Sequence, residues 1–221
     1  MRALILILLL AACGRPLTGP ETDLAQRLFG ETLDVAPVRL VENGFVGITS
    51  RTFATRPRTT CRERLLPPPA GPTETGRTAG VALGNAIHIR PRVHRPDFAR
   101  NLDGSVTLAA AMFLAHELTH AWQWQNRDRT GFTPLRAGGE HRRGADPYLF
   151  EVDGDTRFLD YGFEQQASIV EEYVCCATLD PGGARTGRLR ALLMQEMPLQ
   201  SLPRAEVRLP WDGAQTRGIC A

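Results

Sequence analysis

At 221 residues the chain has the length of one domain and enough residues to bury a sizeable core. Hydrophobic residues make up 43% and charged residues 23%, a balance that excludes a disordered or membrane-embedded chain and fits a globular one. The formal net charge is only +2, and the 26 basic residues, all arginine, are scattered rather than clustered, so nothing argues for a nucleic-acid partner.

Residues 1–12 combine one positive charge at Arg2, an aliphatic run from Ala3 to Leu10 and small residues before Cys13. That is the pattern of an export signal, and the apolar run is too short to span a bilayer. Leu10-Ala11-Ala12-Cys13 resembles the bacterial lipobox, in which the cysteine is acylated and becomes the first residue of the mature chain. The resemblance implies a cell-envelope lipoprotein facing the periplasm and held to the membrane by acyl chains. Gly14 after the cysteine is compatible with the outer membrane. Residues 13–20 read as a tether, and residues 21–221 as a single domain.

Glu21 to Phe29 has the spacing of a short amphipathic helix ended by Gly30. Val35–Val41 and Phe45–Thr49, separated by Glu42-Asn43-Gly44, predict a β-hairpin with an Asn-Gly turn. Residues 51–78, rich in Arg, Thr, Pro and Gly, predict an irregular surface connection. A strand pattern resumes from Val81 to Arg90, with His88 and, beyond it, His94 expected to be structural or solvent-facing.

Val106 to Gln125 contains no Gly or Pro, is apolar on all sides in its first half, and has Ser105 as an expected N-cap. This predicts a buried helix carrying His116-Glu117-Leu118-Thr119-His120. Residues four apart lie one turn above each other, so His116 and His120 can bind the same ion. Glu117 lies about 100° round the helix from His116, placed to act as a general base on a water at that ion. Zinc suits the set because it accepts neutral imidazole and carboxylate and tolerates an open fourth position. Trp122 and Trp124 on the same helix are expected to pack.

Residues 130–147, including Glu140 and His141, form a stretch long enough to border a cleft. Tyr148–Val152 and Thr156–Leu159 suggest a second hairpin across Asp153-Gly154-Asp155. Helices are expected over Phe163–Thr178 and Ala184–Met197, with a loop-like tail to Ala221. A catalytic zinc needs a third protein ligand. On the Phe163–Thr178 helix, Glu164, Ser168, Glu171 and Cys175 form one stripe bordered by apolar residues. Glu164 is the first choice of ligand, with Glu171 and His141 next. Four cysteines remain beyond Cys13, namely Cys61, Cys175, Cys176 and Cys220, and in an oxidising compartment one of the vicinal pair is expected to bond to Cys61 or Cys220. No CxxC spacing supports a second zinc site.

With His116-Glu-Leu-Thr-His120 followed by Glu164-Gln-Gln-Ala167, the chain resembles the gluzincin branch of zinc metallopeptidases, and more narrowly the small bacterial zincin domains of secreted or Vgr/Rhs-type proteins. The similarity covers about residues 81–177, which would be the catalytic core. It implies an α+β zincin-like fold with a small mixed sheet, a buried HExxH helix and a second ligand-bearing helix. It also implies an edge strand, expected over Asn85–Arg90, along which an extended substrate pairs. The implied activity is zinc-dependent hydrolysis of peptide bonds in extracytoplasmic proteins or peptides, with one zinc held by His116, His120 and Glu164 and Glu117 activating water. The metzincin pattern is absent, since Gln123 and Asn126 stand where it needs Gly and His. Gln123 shares the histidine face and is expected to orient one imidazole. Ser168 stands where thermolysin-like enzymes carry an aspartate, which leaves the outer shell of the site to be found elsewhere. Tyr148, Tyr161, Tyr173 and His141 are the candidates for oxyanion stabilisation. The rival reading is a catalytically silent zincin-like binding or structural module of the cell envelope or a secretion system.

Overall fold

A computed structural model of the chain describes residues 14–141, 146–152 and 154–221. Residues 1–13, where the export signal and the acylated Cys13 are expected, and residues 142–145 and 153 lie outside the described residues. In chain order the elements are α1 (Gly19–Phe29), β1 (Arg39–Glu42), β2 (Ser50–Ala54), α2 (Cys61–Leu65), β3 (Thr73–Arg77), β4 (Gly80–Leu83), β5 (Ala86–Ile89), β6 (Val106–Thr107), α3 (Leu108–Gln125), α4 (Arg127–Thr130), α5 (Pro134–Glu140), α6 (Phe163–Leu179), α7 (Ala184–Leu193) and β7 (Val207–Arg208). The result is a mixed α+β architecture with small sheets.

Helix α3 is apolar around its circumference because it runs through the middle of the molecule. Leu108, Met112, Leu114, Ala115, Leu118, Ala121 and Trp122 are all buried, and α6 packs along it with Ala167, Ile169, Val170 and Val174 buried as well. The α3 cap differs from the sequence expectation. Thr107, not Ser105, precedes the helix, because Val106 and Thr107 are drawn into a two-residue parallel pairing with Val207 and Arg208. Ser105 instead bonds the Asp103 carboxylate through both its hydroxyl and its backbone N–H.

The main sheet has the order β1-β5-β4, with β1 parallel and β4 antiparallel to β5. This overturns the hairpin expected at Asn43-Gly44. The backbone N–H of Asn43 donates to Ile89 O, continuing the parallel ladder, while its side chain accepts from Phe45 N. The position beside β1 is therefore filled by β5. Phe45 is left 85% exposed, and the next strand, β2, pairs with β3 in a separate two-stranded ribbon. Residues 51–78 are thus not wholly irregular, since they hold β2, α2 and β3. The expected continuous strand Val81–Arg90 is instead a tight β4–β5 hairpin. Its two-residue turn begins at Gly84, whose φ of +63° is the left-handed value that a type II′ turn requires at this position.

The edge assignment changes accordingly. Asn85–Arg90 supplies the central strand β5, and the open edge is β4, because Arg15 bridges Leu40 on the far side of β1. Residues 14–18, expected as a tether, lie against the sheet in the same way: Arg15 exchanges backbone hydrogen bonds with Leu40 and forms an ion pair with buried Glu21. No strands form at Tyr148–Val152 or Thr156–Leu159 among the described residues; a 3₁₀ turn spans Phe158–Asp160. Among the described residues no helix is long and apolar enough to cross a membrane. Disulfides Cys61–Cys175 and Cys176–Cys220 fasten both cysteines of the vicinal pair on α6, one to α2 and the other to the C-terminal tail.

Candidate metal centre

The packing of α3 against α6 brings His116, His120 and Glu164 together. His116 Nε2 lies 3.3 Å from His120 Nε2 and 3.2 Å from Glu164 Oε2, and His120 Nε2 lies 3.4 Å from the same oxygen. Three ligands on one tetrahedral zinc at ~2.0–2.1 Å are separated by about 3.3–3.4 Å, so the donor set and its spacing fit that ion.

The outer contacts decide which ring atoms face the centre. The Gln123 amide nitrogen donates to Phe163 O at 2.9 Å and to Gln166 Oε1 at 3.0 Å, while the Gln166 amide nitrogen donates to Tyr161 O. Backbone carbonyls thereby fix both amides, and Gln123 Oε1 must face His120 Nδ1, 2.9 Å away. That nitrogen carries the proton, leaving the Nε2 lone pair directed into the cluster. His116 Nδ1 faces Glu171 Oε2 at 3.3 Å, at an angle too poor for a formed hydrogen bond but within ion-pair range. Burial lowers the His116 imidazole, but Glu164 and Glu171 outweigh it and raise it to about 10, so the pocket favours positive charge. Burial acts in the opposite sense on Glu171, and Arg62 and His116 outweigh it, holding its carboxyl at about 2. For Glu164, burial is likewise outweighed by His120, His116 and His141, and its carboxyl sits well below the usual range.

Glu164 heads α6, where its backbone N–H and that of Phe163 donate to the Glu140 carboxylate at 3.0 and 2.8 Å. The carboxylate satisfies two N–H groups that a helix start leaves unpaired and complements the positive end of the helix dipole. His141, the next residue, reaches Glu164 Oε1 with its Nε2 at 2.9 Å. As its length suggests, the 130–147 stretch borders the centre, through Glu140 at the end of α5 and through His141 after it.

Glu117 is buried, and its Oε2 has no hydrogen-bond partner among the described residues. Burial pushes its carboxyl above the ordinary value, against the pull of the two imidazoles. Strand β4 runs close beside it: a Cβ built on Gly80 would stand 2.6 Å from Glu117 Oε1. Tyr148 covers the other side, its ring centroid 5.9 Å from those of both His116 and His141, with the Arg56 guanidinium 4.8 Å from its ring. Burial and the nearby Glu164 and Glu117 carboxylates raise its hydroxyl well above the usual phenol range.

Two tyrosines named in the sequence reading are not brought to the centre. The Tyr161 hydroxyl donates to Glu151 O at 2.7 Å, and Tyr173 is a core residue beside Arg190. Tyr161 precedes α6, at the end of the 3₁₀ turn, and Tyr173 lies on α6 with its ring in the core. Trp122 packs in the core with its indole N–H on Thr32, and Trp124 lies against Gly84. Ser168 Oγ is buried without a hydrogen-bond partner among the described residues, and the carboxylate that faces His116 comes from Glu171, one turn further along α6. Glu140, Gln166, Gly80 and Arg62 were not legible as site residues, since each acts through backbone or long-range contacts that no local motif encodes.

No protein-family model matches the sequence, and a search of curated proteins gives no match. The chain shares a fold with the effector domain of Pseudomonas aeruginosa VgrG2b. The two superpose with a TM-score of 0.54 at 21% identity, over 84% of this chain and 85% of that domain. The similarity to the VgrG2b effector domain therefore extends well beyond the two site helices and covers most of the molecule.

Proposed function

We propose that the chain is a zincin-like, zinc-dependent peptide hydrolase that acts on proteins or peptides outside the cytoplasm, as an effector-type domain held in or delivered to the cell envelope. The observation that carries this reading is the convergence of His116 Nε2, His120 Nε2 and Glu164 Oε2 within 3.4 Å of one another, beside a buried carboxylate, Glu117, with an unpartnered oxygen. The fold shared with the VgrG2b effector domain supports the effector class. The lipobox resemblance supports the envelope.

His116, His120 and Glu164 would hold the ion, which when bound supplies Lewis-acid polarisation of water and of the scissile carbonyl. Glu117 takes the proton from the attacking water and passes it to the leaving nitrogen. Its raised carboxyl suits both halves of that transfer. Tyr148 and His141 border the same space and can donate to the oxygen that gains charge. A catalytically silent metal-binding module would have no use for a buried, desolvated carboxylate at Glu117, so the enzyme reading is preferred.

The test is zinc content and hydrolysis of a broad peptide library by wild type, Glu117→Gln and Glu164→Ala. We expect one zinc per chain in wild type and in Glu117→Gln, activity in wild type only, and loss of zinc in Glu164→Ala. Zinc without hydrolysis in wild type would leave a binding module, and absence of zinc would end the proposal.

A further inference from the structure

Arg62 belongs to α2, a five-residue helix remote in sequence from the ligands, yet its guanidinium donates to Glu171 Oε2 at 3.0 Å. That oxygen is the one facing His116 Nδ1 at 3.3 Å. Glu171 thus stands between a guanidinium and an imidazole, and its direction toward His116 depends on where Arg62 is held. Helix α2 is too short to be stable alone, and its N-cap residue Thr60 makes no capping hydrogen bond, so it is held from outside: Leu65 is buried in the core, Arg64 donates to Ile219 O, and its first turn is fastened to α6. At that start the attachments run through Cys61 and the Arg62 backbone N–H, which donates to Glu172 Oε2 at 3.4 Å. The Cys61 sulfur is bonded to that of Cys175 on α6, and the Cys61 N–H donates to Glu172, the neighbour of Glu171. One residue on, Arg62 enters the site.

We propose that Arg62 is a positioning residue for His116, acting through Glu171, and that the Cys61–Cys175 disulfide holds it there, so that zinc affinity depends on the oxidation state of these two cysteines. The inference rests on the zinc reading of the site. The bond forms when the Cys61 and Cys175 thiols give up two electrons and two protons to a disulfide oxidant, which leaves as two thiols. Chain made in a reducing compartment therefore has a weaker metal site, and the site tightens where disulfides form. The second disulfide, Cys176–Cys220, fastens the tail, which reaches α2 through Arg64 on Ile219 O and not through Arg62, and serves as the comparison.

The experiment uses the full chain in six forms: wild type, Arg62→Gln, Arg62→Lys, Cys61→Ala/Cys175→Ala, that pair combined with Arg62→Gln, and Cys176→Ala/Cys220→Ala. The zinc dissociation constant is measured by competition with a chromogenic chelator, alongside the thermal midpoint of each protein. Loss of an outer-shell partner weakens zinc binding by about 10–100-fold, and that range is expected for Arg62→Gln and for the Cys61/Cys175 pair. Arg62→Lys should recover part of the loss, and the Cys176/Cys220 pair should stay within about threefold of wild type whatever its midpoint. Because the two changes act on one path, Arg62→Gln placed in the Cys61/Cys175 variant should add nothing further. Wild-type affinity in Arg62→Gln, additive losses, or equal losses from the two cysteine pairs would overturn the proposal. If the Cys61/Cys175 variant fails to fold, Arg62→Gln and Arg62→Lys decide alone. Wild type that binds no zinc would instead overturn the reading of the site on which the proposal rests.

Discussion

Gly80 shows how tightly Glu117, the proposed general base, is confined. A Cβ at this position would meet Glu117 Oε1 at 2.6 Å and Phe113 Cζ at 2.7 Å, and neither the buried carboxylate nor the packed ring can give way freely. Gly80→Ala is therefore expected to move Glu117 while leaving His116, His120 and Glu164 in place. Zinc content should remain at one per chain and kcat should fall by about tenfold or more, since displacements of about 1 Å at a reacting group carry costs of that order. Loss of zinc in this variant would show that the strand supports the ligands themselves. At this scale the sequence was informative where the chemistry is local. The His116, Glu117 and His120 spacing can be read from one helical turn, and Glu164 from a stripe on one helix. The same stripe marks Glu171 as a residue of the site, but its contact with Arg62 was not readable, because the two come from more than a hundred residues apart.

At the scale of elements, α1 is fixed to the sheet by a buried carboxylate. Glu21 closes the capping box with Thr18, accepts both guanidinium nitrogens of Arg15, and accepts the Phe98 N–H, all while fully buried. Burial alone would raise its carboxyl, but Arg15 and the backbone N–H groups of Thr18 and Phe98 outweigh it and hold it below its ordinary value. A carboxylate lowered on folding contributes stability that is present above its unfolded value and is lost as pH falls through the folded one. Denaturant unfolding should accordingly show stability falling on acidification below about pH 4.5. Glu21→Gln should lower stability at pH 7 by about 3 kcal/mol, because it leaves Arg15 unpaired beside a buried site, and should flatten that acid limb. An unchanged acid limb in Glu21→Gln would assign the pH dependence to other carboxylates. Helix α1 itself was legible from its spacing and its Gly30 stop. The Asn43-Gly44 hairpin was not, since a strong turn signal lost to a parallel partner, β5, that lies more than forty residues away and that no local pattern announces.

Over the whole molecule, the α3–α6 pair forms the centre, with the ligands between the two helices and the β1-β5-β4 sheet against α3. Long apolar or amphipathic helices could be found from their periodicity, whereas strand order could not, because four-residue strands carry too little pattern to choose their neighbours. The edge strand matters most for function. The hydrogen bond from Arg90 N to Ala79 O, together with the two-residue turn after Leu83, sets the parity of the ladder. Ala79, Val81 and Leu83 direct their backbone groups toward β5, and Gly80 and Ala82 direct theirs to the open edge beside Glu117. An extended peptide pairing with that edge would lie antiparallel or parallel to β4 across the mouth of the centre, its amides on Gly80 and Ala82. Proline at position 82 removes a donor from the open side without breaking the β4–β5 ladder, whereas proline at position 81 breaks the ladder. Ala82→Pro should raise KM for extended peptides by about tenfold, the worth of one hydrogen bond to an ordered strand, while zinc content and thermal midpoint stay near wild type. Val81→Pro should lower the midpoint as well. An unchanged KM in Ala82→Pro would mean that substrate reaches Glu117 without using this edge, and the approach would then have to come past Tyr148 and His141.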